Sequence, residues 1–193
     1  DGNTGESSEK SFSTERAPIV TDPTVGNIGI ESALIKYTVT GASKVKILYG
    51  KSTTFGGSVE VSTSFSESSY STLLEGLEDG TKYYYQINTF DSEGSEYTGN
   101  TLAFETLPRP KISSVRFQEI VGVAQPAVLV TWVTNTEVSS VVTYYPQGKP
   151  DLASDAVSVT LQKGAHRMIV KSLIANAIYT AQVRGSDKMG NEA

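Results

Sequence analysis

Apolar and polar residues alternate with period two through most of the chain, and no long stretch keeps a helical period. In 34–39, Ile35, Tyr37 and Val39 share one face, and their counterparts further on are Val130, Trp132 and Thr134. The run 45–49 lines up with 141–145 at a spacing of 96 residues, and 83–87 lines up with 179–183 at the same spacing. These runs are broken by turn clusters such as Gly41-Ala42-Ser43 and Glu78-Asp79-Gly80, which predicts half-buried antiparallel strands and almost no helix. Gly80 and Asn176 correspond, and both tolerate the positive φ that a tight corner between strands requires. Asp91-x-x-Gly94 and Asp187-x-x-Gly190 each predict a hairpin loop after a strand.

The 96-residue spacing predicts two modules, 17–107 and 108–193. Leu107-Pro108-Arg109-Pro110 disfavours helix and stiffens the junction between them. Phe104-x-Thr106-x-x-x-Pro110 follows the first hairpin loop, and its spacing is repeated by Phe12-x-Thr14-x-x-x-Pro18. Residues 1–16 therefore read as a loop and last-strand remnant of an upstream repeat, a linker, or a donor strand. The second module is expected to be incomplete at its C-terminal side, lacking its last strand. Two versions follow: repeats cut out of phase from a longer array, or strand exchange in which Phe12 and Thr14 of one molecule add beside Tyr179 and Val183 of another.

The motif Leu74-x-x-Leu77-x-x-Gly80-Thr81-x-Tyr83-x-Tyr85-x-Ile87 resembles the corner before strand F of fibronectin type III domains. Its second copy runs Val170-x-x-Leu173-x-x-x-Ala177-x-Tyr179-x-Ala181-x-Val183, and Trp132 matches that family's strand B tryptophan. Tyr37 stands at the tryptophan position in the first copy, and Ala177 replaces the usual threonine in the second. The resemblance, to tandem domains of a bacterial-type extracellular protein, implies an all-β chain of two seven-stranded antiparallel, immunoglobulin-like sandwiches. It implies tyrosine corners at Tyr83 and Tyr179 with hydroxyls bonded to nearby backbone, and a core anchored by Trp132, Leu74, Leu77, Val170 and Leu173.

Composition narrows the setting. Charged residues make up 19% of the chain and tyrosines outnumber phenylalanines 10 to 6, which leans toward a secreted all-β protein. There is no cysteine, so disulfides and thiolate metal sites are excluded. No apolar run is long enough to span a bilayer, and the polar opening residues carry no signal peptide, so the numbering is expected to start inside a longer or processed protein. The net charge of −5 divides into −2 for 1–16 (four acids, two bases), −6 for 17–107 (eleven, five) and +3 for 108–193 (six, nine). Complementary fields of this kind favour head-to-tail contacts, although drift of two surfaces explains them as simply.

Little in the sequence carries chemistry. His166 is the single histidine, aligns with Tyr70, and reads as a partly buried residue at a strand end rather than a metal ligand or catalytic base. Asp91, Glu93 and Glu96 offer hard oxygens, but their glycine is misplaced for an EF-hand loop, so a solvated acidic loop is expected. Arg184-Gly185-Ser186-Asp187 contains an integrin-type tripeptide broken by Ser186 and is assigned no adhesive role. Tyr84 and Tyr144 are candidate exposed aromatics for a glycan or protein partner. No cofactor site and no nucleic-acid surface are expected. The chain is thus expected to be a non-catalytic extracellular or cell-surface segment, acting as spacer, adhesive and protein-interaction modules whose partners are proteins or neighbouring repeats. The alternatives are a glycan-binding module, or accessory domains of a secreted hydrolase such as a glycosidase. The stretches 130–134 and 140–144 are also similar to the non-catalytic sandwich of purple acid phosphatases.

Overall fold

The computed structural model describes residues 2, 5–11 and 16–193, so Phe12 and Thr14 lie outside the described residues. The chain divides into two compact units, one of residues 1–77 and 81–106 and one of 78–80 and 107–193.

In unit 1, β1 (Ile19–Gly26), β2 (Ser32–Thr40) and β5 (Ser68–Glu75) form one antiparallel sheet in the order β1-β2-β5. A second sheet contains β3 (Lys44–Gly50), β4 (Gly57–Ser62) and β6 (Lys82–Phe90) in the order β4-β3-β6. The short β7 (Glu96–Tyr97) and then β8 (Thr101–Glu105) both pair with β6. With the two-residue β7, the described residues of unit 1 form eight strands where seven are expected. Alternation places Ile35, Tyr37 and Val39 of β2 against Val45 and Ile47 of β3 and Tyr85 and Ile87 of β6, with Leu74, Leu77 and Phe104 completing one buried cluster. Burying each such side chain contributes about 1.5–3 kcal/mol. The chain passes from the first sheet to the second at Gly41, whose φ of 78° permits a sharp turn between β2 and β3.

Unit 2 solves the same problem without that break. It contains β9 (Ile112–Ile120), the 20-residue β10 (Ala127–Pro146), the 17-residue β11 (Ser154–Val170) and β12 (Tyr179–Arg184), with a single 3-10 turn at Pro150–Leu152. The first part of β10 pairs with β9 and with the end of β11, while its later part pairs with the start of β11 and with β12. Each long strand therefore serves both layers. Glu137 stands 96 residues after Gly41, so no glycine breaks the strand, and register shifts on either side of Val138 bend it instead. Four strands take the place of the expected succession of short ones. The core is correspondingly small, with Val130, Trp132, Val142 and Val170 buried and Val128, Tyr144, Met168, Leu173 and Val183 packed around them.

The constant 96-residue offset needs one correction. Tyr49 pairs with Tyr85, whereas Tyr144 pairs with Ala181, so along this strand the true counterparts lie 95 residues apart. Because side chains alternate, one residue of slip reverses every face. Tyr144 is the equivalent of the inward-leaning Tyr49 rather than of a residue beside it, and shares its face with buried Val142 and Ser140.

Candidate functional site

The two units differ most at the edge of the sheet beyond β6 and β12. In unit 1, β8 covers that edge with Phe104 opposite Tyr83, Ala103 opposite Tyr84 and Leu102 opposite Tyr85. The Phe104 ring stacks on Tyr83 at 5.7 Å and meets Tyr85 at 6.0 Å. Thr106, 2% exposed, fastens the strand to the corner: its N–H donates to the Thr81 carbonyl at 3.0 Å and its Oγ1 accepts from the Thr81 N–H at 2.9 Å.

In unit 2, β12 pairs with β10 on one side, and among the described residues no strand pairs with its other side. The hairpin bridge Ser186–Glu192 reproduces the Phe90–Glu96 pair 96 residues on. The consequence for packing is direct. Tyr83, Tyr85 and Ile87 are buried, but Tyr179, Ala181 and Val183, which replace them, are each only half-buried. An open cavity of about 610 Å³ is lined by Val130, Tyr144, Val170, Leu173, Tyr179 and Ala181. Tyr144 and Tyr179 lean together across it, 6.3 Å between ring centroids. The Tyr179 hydroxyl accepts from the Ile174 backbone N–H at 3.0 Å, which holds the ring at the rim, and Asn176 turns the corner with φ of 58°. Exposed apolar residues flank the opening, including Ile174 at 62%, Ile178 at 71% and Phe117 at 54%.

The remaining candidate residues are occupied structurally. Leu74, Leu77 and Tyr83 lie in the core of unit 1, and Trp132 and Val170 lie in that of unit 2. Tyr84 is half-buried with the Lys82 ammonium 5.1 Å from its ring centre. Tyr144 is no surface aromatic, since its parity turns it inward toward the cavity. His166 also departs from expectation: it is 3% exposed and lies within β11 opposite Trp132, with the two rings stacked at 5.2 Å. Thr134 Oγ1 and Ser140 Oγ each sit 2.9 Å from one of its ring nitrogens. Burial lowers its pKa below the ordinary histidine value, against a smaller opposing effect of the Gln162 backbone.

The acidic loops are hydrogen-bonded turns. Asp91 Oδ1 accepts from the N–H groups of Glu93 and Ser95, and its pKa is lowered first by the Ser95 bond. Asp187 does the same with Met189 and Asn191. Burial there acts to raise its pKa, and bonds from Asn191, Met189 and Gly190 outweigh that. Glu96 accepts from the Asn88 amide at 2.7 Å. Among the described residues no group of three or more acidic or histidine side chains is placed to hold a metal ion. Arg184 pairs with Asp155 at 3.2 Å, and a Cβ at Gly185 would collide with the Ser139 carbonyl, so both residues have structural work within the sheet.

The cavity itself is not visible in residue patterns. Its one trace is the exchange of Tyr85 for Ala181 at an inward position, which removes a ring from the core. Among the described residues no helix is long and apolar enough to cross a membrane.

No family model and no curated protein matches the chain. A two-domain fibronectin type III segment of chicken tenascin is 18% identical over 90% of this chain and 94% of its own, with a TM-score of 0.37. The FN1–FN3 domains of chicken CNTN1 are 14% identical, covering 87% of this chain and 61% of theirs, at 0.37. Chitinase ChiA74 from Bacillus thuringiensis is 13% identical over 83% of this chain and 28% of its own, at 0.38. Unit 1 by itself is a β-sandwich, an antiparallel β1-β2-β5 sheet packed on a β4-β3-β6-β8 sheet around one buried core.

Proposed function

We propose that the chain is a pair of non-catalytic sandwich modules within an extracellular or cell-surface protein, and that unit 2 is an interaction module that takes up a β-strand. The observation that carries this reading is the conjunction of a β12 edge that pairs with no strand among the described residues and an apolar cavity directly beneath it. Main-chain groups along such an edge supply affinity, and a pocket for alternate side chains supplies selectivity. The groups with chemical potential are already engaged: both ring nitrogens of His166 have hydroxyl partners, and Asp91 and Asp187 hold their own loops.

The test is an NMR titration of the full chain with a peptide of residues 99–110, the segment that closes unit 1. Amide shifts concentrated in 179–184 and in the side chains around Tyr144 are expected. A spectrum that leaves those residues unmoved at saturating peptide sinks the reading.

A further inference from the structure

Phe12, Thr14 and Pro18 repeat the spacing of Phe104, Thr106 and Pro110, the segment that seals unit 1. Carrying the β6–β8 register over to β12 sets Phe12 opposite Tyr179, Ser11 opposite Thr180 and Lys10 opposite Ala181. In that register the Phe12 ring enters the cavity over Tyr179, as Phe104 lies over Tyr83. Thr14 reaches Ala177, which occupies the place of Thr81. Lys10 replaces Leu102, a departure that Ala181 accommodates: with no ring opposite it, the alkyl stem can lie across the alanine and carry its ammonium to solvent.

We infer that residues 9–14 of one copy add as the missing strand to β12 of a second copy. This rests on β12 being a strand acceptor. Three further observations favour this occupant. Within this sequence the Phe-x-Thr-x-x-x-Pro spacing occurs only there and at 104–110, where β8 is already used to close unit 1. Residues 5–11 are exposed and outside any strand, so they are not committed elsewhere. The segment 1–16 carries −2 against +3 for residues 108–193, a favourable pairing of fields. Because donor and acceptor surfaces differ, each added copy presents a new open edge, and the assembly is head-to-tail and open-ended.

Sedimentation of the full 193-residue chain is expected to show mass rising with concentration, and Phe12→Asp to weaken association by at least about tenfold. Phe12 precedes the first strand of unit 1, so the thermal transition of that unit is expected to stay in place. A peptide of residues 5–18 added to the Phe12→Asp chain should shift the amides of 179–184, and the same peptide bearing Phe12→Asp should not. A chain that is monomeric at every concentration, or assembly indifferent to Phe12→Asp, overturns the inference. Binding of the 99–110 peptide without binding of the 5–18 peptide also overturns it while leaving β12 a strand acceptor. Binding of neither overturns both.

Discussion

At the scale of single residues, corresponding positions of the two units are filled by different ring pairs. Tyr37 stacks on Tyr70 at 5.9 Å in unit 1, and Trp132 stacks on His166 at 5.2 Å in unit 2. Trp132 is 2% exposed, and its indole nitrogen has no hydrogen-bond partner among the described residues, so its contribution is packing. Trp132→Ala should cost about 3–5 kcal/mol in denaturant unfolding, and Trp132→Phe much less. A Trp132→Ala chain unfolding at the parent's midpoint would remove the indole from the core. His166 makes unit 2 sensitive to acid. Its folded pKa lies below 6.5, so the unfolded chain binds the proton first as pH falls. The stability tied to the neutral ring is complete above about pH 6.5 and is lost as the pH drops toward the folded value. Melting temperature followed downward from neutral pH should fall more steeply in the parent than in His166→Gln, and parallel profiles would refute this.

At the scale of elements, much was legible in the sequence. Period-two runs located β2, β3, β6 and β12, and the positive φ at both Gly80 and Asn176 follows from residues able to adopt it. The fused strands β10 and β11 were not legible, because a bulge around Val138 does the bending that Gly41 does in unit 1, and no residue type signals it. The slip from 96 to 95 in the same stretch reversed the side assigned to Tyr144. Such slips leave alternation intact, so periodicity alone is blind to them. Two predictions belong here. Gly185→Ala places a methyl group against the Ser139 carbonyl where β12 meets β10, and should destabilise unit 2 by roughly 1–3 kcal/mol in chemical denaturation; unchanged stability would mean that this junction is looser than described. Amides of β6 are enclosed between β3 and β8, whereas β12 has one neighbour among the described residues, so hydrogen exchange should be faster at 179–184 than at 83–87 in dilute protein. Equal protection at low concentration would contradict an open edge.

For the whole molecule, the decisive contrast is between the two units at one sheet edge. Unit 1 closes its own core with Phe104 and Thr106, while unit 2 leaves a cavity of about 610 Å³ beside a strand that has no second neighbour among the described residues. A segment with the matching spacing lies at the other end of the same sequence. The proposed register can be read covalently, because the chain has no cysteine and introduced thiols stand alone. Ser11 and Thr180 are both exposed, and they become cross-strand neighbours in that register. Under oxidising conditions the Ser11→Cys, Thr180→Cys chain should run on a denaturing gel as a ladder of disulfide-linked oligomers. A mixture of the two single variants should cross-link the one with the other, and moving the acceptor cysteine to Gln182 should abolish both results. Cross-linking confined to monomers, or insensitive to that displacement, would contradict strand exchange between copies.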